Sequence, residues 1–255
     1  MKLVASKLSV SIKEQVVCDQ LDIEFNQGEF WGVLGANGIG KTTLLKSLIG
    51  LLSIQQGEIF VNHQSIKSSS VSAQQISFLY QNYSDVFPIS VYDYVLSGRF
   101  PHVKFWGHYQ SIDHGICQKN IQLFELAEFK DRNIQTLSGG ERKRASLAQL
   151  MTQNADLMVL DEPLNHLDLK HQVFILKHLK MLCREQEKCV LMTLHDINFA
   201  RHFCDKVLLL GPSGEINLGL TKDILIKENI EALVNYPMLK IQQSDQSYYF
   251  PSIAG

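Results

Sequence analysis

The sequence predicts an α/β protein with a mostly parallel sheet, and three observations support this fold class. Short apolar strand patterns alternate with helical patterns along most of the chain, as they do in parallel sheets. A glycine-rich loop lies between one strand pattern and one helix pattern. The 255 residues are 45% hydrophobic and 20% charged, which is near the globular average and excludes a wholly disordered chain.

Charge and cysteine content exclude several classes of protein. The chain has 24 Lys and Arg against 26 Asp and Glu, a net charge of −2, which argues against a nucleic-acid partner. Its five cysteines form no C-x-x-C pair, so neither a disulfide framework nor a zinc ribbon is expected. No apolar run approaches the ~20 residues of a membrane helix, and the N-terminus lacks the pattern of a signal peptide. We therefore expect a cytosolic protein that another protein holds at any membrane.

The N-terminal third of the chain has mostly strand character. Alternating or continuous apolar residues predict strands over residues 8–12, 21–25, 30–34, 59–61 and 76–80. A helix follows the glycine-rich loop, because Leu44, Leu45 and Leu48 lie on one side and Gly50 is near its end.

The middle of the chain changes to helical patterns, at 91–96 and 116–124, before strand patterns return. These later strands are predicted at 157–160, 190–194 and 207–210, with an amphipathic helix between the first two. We therefore predict a single domain with a helical insert. Its core spans 1–81 and 155–240, its insert 82–154 and its C-terminal tail 241–255.

The glycine-rich loop at residues 35–42 reads G-A-N-G-I-G-K-T and fits the phosphate-loop (Walker A) pattern G-x-x-x-x-G-K-[ST]. Such a loop converges backbone N–H groups on phosphate oxygens, while the lysine contacts the β- and γ-phosphates and the hydroxyl ligates Mg²⁺. The alternative is a glycine-rich turn with an unrelated lysine, but the strand before it and the helix after it favour a P-loop NTPase core. We predict that ATP is bound here by Gly35, Asn37, Gly38, Gly40, Lys41, Thr42 and Thr43.

Two acidic residues end the strand at 157–160. Buried parallel strands bring such residues to the carboxyl edge of the sheet, where ligands bind. We predict that Asp161 holds Mg²⁺ together with Thr42 and that Glu162 polarises the attacking water as a general base. The alternative is a pair of solvated acids, which the phosphate loop makes the weaker interpretation.

Gln81 and His195 also follow predicted strands and are expected at the same sheet edge. Residues of these types at strand ends often serve only as caps. Close to a phosphate loop they can have catalytic roles. We predict that Gln81 contacts Mg²⁺ or the water and that His195 contacts the γ-phosphate.

A second candidate anion site lies at the start of a helix, in the run L-S-G-G-E at 137–141. Ser138 is a favourable N-cap, and Gly139 and Gly140 expose the N–H groups beside it. One triphosphate does not need two such sites in one chain. The second site is expected to serve the nucleotide of a neighbouring molecule.

Together, these motifs resemble the ATP-binding-cassette (ABC) ATPases over nearly the whole chain. The resemblance also rests on L-D-E-P at 160–163 and on Asp168 in N-H-L-D. It implies a RecA-like core with an N-terminal antiparallel β subdomain, and a head-to-tail homodimer. In that dimer Ser138, Gly139 and Gly140 clamp the partner's ATP and Asp168 lies at the seam. The family often has an aromatic residue about 29 positions before the lysine that stacks on adenine, where this chain has Ile12.

The branch of the family is indicated by G-R-F-P-H at 98–102 and by N-H-L-D-L-K-H-Q at 165–172. These runs resemble importers for iron-siderophores, haem and cobalamin. The resemblance implies polytopic membrane permease subunits that dock on residues 81–88 and on the helical insert. It also implies an indirect periplasmic or surface binding protein, and a location at the cytoplasmic face of the inner membrane.

Other interpretations remain open at this point. A soluble ABC ATPase of the iron–sulfur assembly type, a zinc or manganese importer subunit and a small-molecule kinase share part of the motif set. Val86 and Phe87 could fill a small local core instead of forming a docking groove. The cluster Arg142-Lys143-Arg144 is expected to be a solvated helix face. His102, His108 and His114 are expected to be solvated loop residues rather than metal ligands.

Overall fold

The structure is a computed structural model that describes residues 2–13, 15–67, 73–81, 87–104, 107–243 and 246–253. Its strands are β1 (Lys2–Ile12), β2 (Gln15–Asn26), β3 (Phe30–Gly35), β4 (Gln56–Val61), β5 (Gln64–Ser65), β6 (Ile76–Leu79), β7 (Leu157–Leu160), β8 (Cys189–Thr193), β9 (Lys206–Leu210), β10 (Ile216–Leu220), β11 (Met238–Gln243) and β12 (Gln246–Pro251). Its α-helices are α1 (Lys41–Leu48), α2 (Val91–Leu96), α3 (Ser111–Leu123), α4 (Gly139–Gln153), α5 (Leu169–Gln186), α6 (Ile197–Phe203), α7 (Thr221–Ile224) and α8 (Lys227–Val234). Within these residues no helix is both long and apolar enough to cross a bilayer.

A six-stranded sheet of order β10-β9-β3-β8-β7-β6 forms the centre of the fold. Strand β3 pairs in parallel with both β8 and β9, and β7 continues the parallel arrangement between β8 and β6. Only the edge strand β10 in this sheet runs antiparallel, against β9. The predicted mostly parallel sheet is confirmed, and the carboxyl ends of its strands meet at one edge.

Both faces of this sheet are covered, which explains the continuous apolar runs in its strands. On β3, Phe30 and Leu34 belong to the core beneath the helices. Trp31 and Val33 belong to a second core, shared with α1 and the antiparallel sheet. A strand buried on both sides fixes its last residue firmly, and the loop that follows β3 starts from this rigid point.

An antiparallel sheet of order β2-β1-β4-β5 encloses the second core. Strands β1 and β2 are longer than the sequence patterns suggested, because their pairing runs from Lys2 opposite Asn26 to Ile12 opposite Gln15. Bulges between Ala5 and Ser11 interrupt the register and bend the strands over the core. The expected N-terminal antiparallel β subdomain is therefore present.

Helices α2, α3 and α4 form the helical insert and pack on one another. The segment 98–102 lies in a short 3-10 helix, Ser97–His102, whose residues hold this insert together. Buried Arg99 pairs with Asp113 at 2.8 Å and donates to the Thr152 carbonyl. The Gly98 backbone lies so close to α4 that an added Cβ would be 2.3 Å from the Gln149 carbonyl oxygen.

The expectation of solvated loop histidines is wrong for His102, whereas for His114 it is wrong about the loop and right about exposure to solvent. The half-buried His102 ring contacts the Gln153 carbonyl at 2.7 Å, at the end of α4. His114 lies within α3 and stacks on Tyr92, whose hydroxyl is 2.7 Å from its Nδ1. Among the described residues, no group of three or more His, Cys, Asp or Glu side chains is arranged to hold a metal.

The expectation of a solvated basic face on α4 is also wrong. Arg142 donates to the Gln135 and Leu137 carbonyls, and Arg144 donates to the Phe124 and Glu125 carbonyls. Lys143 is only 5% exposed. The reason is that α4 packs against α2 and α3 as well as β6, so little of its surface is left for solvent.

The C-terminal part adds an antiparallel hairpin, β11 and β12, to the parallel core. Tyr249 anchors it, because Asn198 on α6 accepts from its N–H at 2.9 Å and donates to its carbonyl at 3.0 Å. The sequence patterns indicated only a terminal strand here, and the proposed boundary at residue 241 falls inside β11. All five cysteines are buried as free thiols.

Candidate functional site

The phosphate loop occupies the turn between β3 and α1, and its glycines meet two steric demands. Gly38 and Gly40 have φ of +77° and +110°, in a region that side-chain-bearing residues rarely adopt. At Gly40 an added Cβ would also lie 2.6 Å from Val17. The loop therefore keeps its shape only with glycine at these positions, and it leads directly into the first turn of α1.

Lys41 is the first residue of α1, and its ammonium is held inside the loop. Its Nζ donates to the Gly35 carbonyl at 2.8 Å and the Ala36 carbonyl at 3.0 Å. Burial lowers the pKa of Lys41, an effect that the negative charges of Glu162 and Asp161 oppose. A cation in this position can neutralise a phosphate group that enters the loop.

Thr42 and Asp161 present oxygen atoms beside that cation. The Thr42 hydroxyl donates to Asp161 Oδ2 at 2.6 Å, and the Thr193 hydroxyl donates to Asp161 Oδ1 at 3.1 Å. Asp161 is 1% exposed. A hydroxyl and a carboxylate next to a phosphate site fit Mg²⁺, which binds through one or two carboxylates together with substrate phosphates.

Glu162 points towards a different set of partners from those of its neighbour Asp161. Its Oε2 accepts from the Gln81 and Asn165 side-chain amides, each at 2.6 Å, and its Oε1 lies 3.1 Å from Nε2 of His195. Its backbone has φ of +46°, and its N–H donates to Thr193 Oγ1 at 2.6 Å. With this left-handed backbone, the side chains of the two adjacent acids face different partners.

These groups lie around a cavity of about 410 Å³. Its lining comes from the phosphate loop, α1 and the ends of four strands, and comprises Ile12, Asn37, Gly38, Gly40, Lys41, Thr42, Thr43, Gln81, Glu162, Asn165 and His195. Gly35 contributes its carbonyl to Lys41, and Asp161 lies behind Thr42. The structure thus brings together nearly every residue that the sequence assigned to the phosphate and hydrolysis site, and Ile12 borders the same space.

Ser138, Gly139, Gly140 and Asp168 do not line this cavity. Ser138 caps α4 through a reciprocal pair in which its N–H donates to Glu141 Oε2 at 2.8 Å. Asp168 caps α5 and accepts from the N–H of His171. Their assignment to a nucleotide held by a second copy stays a prediction.

The groove expected at residues 81–88 lies mostly outside the described residues, since 82–86, including Val86, are not among them. Phe87 is 80% exposed. The alternative in which Phe87 fills a local core is therefore wrong.

Sequence reasoning missed three residues of the site. Asn165 donates to Glu162, and Thr193 connects both acids. Burial lowers the pKa of Lys143 to about 8, although the negative charges of Asp161 and Glu162 act in the opposite direction. The position of Thr193 at the end of β8 was a usable signal. For Lys143 the sequence held none, because its burial comes from packing around α4.

Comparison with known proteins agrees with this geometry. The sequence profile of the ABC transporter family matches residues 18–165. The ferric enterobactin transport ATP-binding protein of Escherichia coli is 31% identical over 91% of this chain and 86% of its own. The molybdate import ATP-binding protein of Haemophilus influenzae is 33% identical over 93% and 89%. A solved metal-chelate type ABC transporter, in an inward-facing conformation, superposes with a TM-score of 0.84 at 30% identity, over 99% of this chain and 98% of that one.

Proposed function

Since this chain belongs to the ABC transporter family, in which it is an ATP-binding subunit and an ATPase, we propose that it powers the bacterial import of an iron chelate, haem or a cobalamin-type compound. The observation that carries the ATPase assignment is the position of Glu162. Three side chains orient its carboxylate on the wall of the cavity that also contains Lys41. The cargo assignment is supported by the enterobactin relative and the metal-chelate transporter.

Glu162 is the general base of the proposed reaction. It takes a proton from a water molecule whose oxygen attacks the γ-phosphorus, while the bond from that phosphorus to the β–γ bridging oxygen breaks and ADP leaves. Lys41 offsets the phosphate charge, and His195 contacts the γ-phosphate. When Mg²⁺ is bound, Thr42, Asp161 and Gln81 would hold it, and it would supply further neutralisation of the phosphates.

The working unit is proposed to be a head-to-tail homodimer. Each ATP would lie between the phosphate loop of one copy and Ser138, Gly139 and Gly140 of the other, with Asp168 at the seam. The absence of these residues from the lining of the cavity supports the need for a second copy. ATP binding closes the dimer and hydrolysis reopens it, a ligand-driven shift between two states.

The closing motion is proposed to act on polytopic permease subunits at the cytoplasmic face of the inner membrane. Phe87, Phe100 and Ile112 are exposed apolar residues of the insert or the segment leading into it. Exposed apolar side chains of this kind suit contact with another protein. A periplasmic or surface binding protein would deliver the cargo to the permease and would not touch this chain. A second candidate cargo is an oxyanion, which the molybdate relative favours.

The test compares wild type with Glu162→Gln and with Glu128→Gln, an exposed glutamate of the insert. Loss of a general base slows turnover by about 10²-fold or more, while ATP binding persists and the ATP-bound dimer accumulates. Glu128→Gln is expected to turn over like wild type. Normal turnover in Glu162→Gln would refute the base assignment.

Cargo and partner need a cellular assay. In a strain lacking the gene, wild type should restore uptake of a ferric chelate and Glu162→Gln should not. The tagged protein should co-purify with a polytopic membrane protein. Purification only in a soluble complex would support the non-transport alternative, and restored uptake of molybdate instead of the chelate would support the oxyanion.

A further inference from the structure

One imidazole lies between two carboxylates at the start of α5. The Nδ1 of His171 is 2.8 Å from Oδ1 of Asp168, which also accepts the backbone N–H of His171 at 2.9 Å. On the other side of the ring, Nε2 lies 3.5 Å from Oε2 of Glu125. His171 is 20% exposed at its side chain, against 65% for Asp168 and 59% for Glu125. The ring is thus the most enclosed member of this group.

The two carboxylates come from different parts of the fold. Asp168 belongs to the core, and Glu125 follows α3 in the insert. The pKa of Asp168 is lowered chiefly by the hydrogen bond from the backbone of His171. The pKa of Glu125 is lowered chiefly by its bond to Lys170, with His171 contributing in the same direction. Both carboxylates are therefore favoured in the charged form that this contact requires.

Glu125 is also fixed to α4. Arg144 donates from Nη1 to the Phe124 carbonyl at 2.7 Å and to the Glu125 carbonyl at 2.9 Å. The Glu125 backbone has φ of +53°, which ends α3 in a left-handed turn. Its backbone is therefore held by α4, while its side chain is held by α5.

A second contact joins α4 to the loop that leads into α5. An added Cβ at Gly140 would lie 3.0 Å from the His166 carbonyl oxygen. The first turn of α4 consequently rests directly on the loop that carries Asp168. Ser138 and Asp168, which cap α4 and α5, therefore belong to two segments that pack closely against each other.

We propose that His171, acting between Glu125 and Asp168, is a positioning residue that keeps Asp168 in register with the first turn of α4. This inference rests on the head-to-tail dimer of the proposed function, because that dimer requires Asp168 and Ser138 to meet the partner at the same time. Without the contact, Asp168 could still cap α5, but its carboxylate would lose one of its two donors. The prediction is weaker ATP-driven dimerisation with unchanged ATP binding by each copy.

The experiment uses the full chain with Glu162→Gln as background and Mg²⁺-ATP as ligand. Sedimentation velocity gives the dissociation constant of the ATP-bound dimer, and titration at low protein concentration gives the ATP affinity of the monomer. His171→Ala should raise the dimer constant about fivefold, the equivalent of one net side-chain hydrogen bond. Lys177→Gln, at an exposed position further along α5, is the control and should stay within about twofold of the background.

A double-mutant cycle separates the proposed contact from general damage. Glu125→Ala should weaken the dimer as His171→Ala does, and the double variant should be little worse than either single one. The proposal would be overturned if the losses of the two single variants were fully additive. It would also be overturned if the dimer dissociation constant of His171→Ala equalled that of the Glu162→Gln background. If His171→Ala folds poorly, His171→Asn replaces it. The shorter amide can still donate to Asp168 but cannot reach Glu125, so we expect an intermediate loss of dimer affinity.

Two further outcomes have distinct meanings. If His171→Ala lowers the melting temperature and the monomer's ATP affinity together, the residue serves fold stability alone and the positioning role is wrong. If the Glu162→Gln background itself does not dimerise with ATP, the head-to-tail dimer fails, and the inference that rests on it fails too.

Discussion

Lys143→Met should make the protein more stable at neutral pH, although it removes a lysine from the region of the active site. Lys143 is buried on α4, and burial lowers its pKa from 10.5 to about 8. The native state therefore disfavours the ammonium, even with Asp161 and Glu162 nearby. A difference of one in pKa is worth about 1.4 kcal/mol, so charging this lysine costs the folded state about 3 kcal/mol.

The sign of the pH dependence follows from the same pKa. Below about pH 8 Lys143 is charged in both the native and the unfolded state, and the full cost applies. Between about pH 8 and 10.5 the native state releases the proton that the unfolded state keeps, so wild-type stability rises. Above 10.5 both states are neutral and the cost disappears. The advantage of Lys143→Met should therefore be largest near pH 7 and shrink as the pH rises.

Urea unfolding at pH 7 and pH 9.5, followed by circular dichroism, measures this advantage. At pH 7 we expect a gain in unfolding free energy of at most about 3 kcal/mol, or a melting temperature higher by at most about 6 to 12 °C for a chain of this length. Lys177→Met, at an exposed position of α5, is the matched control and should change stability by less than about 0.5 kcal/mol. A less stable Lys143→Met, or an advantage that does not change with pH, would refute the reasoning.

Three other substitutions test the assigned roles. Lys41→Ala should abolish ATP binding in equilibrium titrations, and retained affinity would show that the loop does not depend on this cation. Ser138→Arg should prevent ATP-dependent dimerisation in size-exclusion chromatography while the monomer still binds ATP, and an unchanged dimer would remove the role of α4 in trans. Asp113→Ala should lower the unfolding free energy by about 3–5 kcal/mol, because it leaves Arg99 buried without its carboxylate; a loss below 1 kcal/mol in urea melts would contradict a buried ion pair.

The central sheet and the phosphate loop could be predicted from the sequence because their signals are local. A strand buried on both faces reads as a short apolar run, and the glycines of the loop are required by backbone geometry alone. The chemistry of Asp161, Glu162, Gln81 and His195 could be placed at one edge since each follows a predicted strand. The structure brings Glu162, Gln81 and His195 to a single cavity and places Asp161 behind Thr42 in its wall.

Other features depend on packing between distant segments and left no local pattern. The buried position of Lys143 is set by α2, α3 and β6 around α4, and its flanking arginines suggested a solvated face instead. Asn165 donates to the side chain of Glu162, three residues earlier, and Glu162 has a left-handed backbone that no local sequence pattern indicated. Strand β11 alternates weakly and is largely exposed, so its sequence resembles a loop.

The account depends most on a nucleotide shared between two copies, and the structure of the Glu162→Gln protein with Mg²⁺-ATP tests this directly. The quantity to measure is the distance from Ser138 of one copy to the γ-phosphate bound at Lys41 of the other. We predict a hydrogen bond of about 3 Å. A closed, ATP-loaded dimer in which Ser138 lies far from either γ-phosphate would contradict the account.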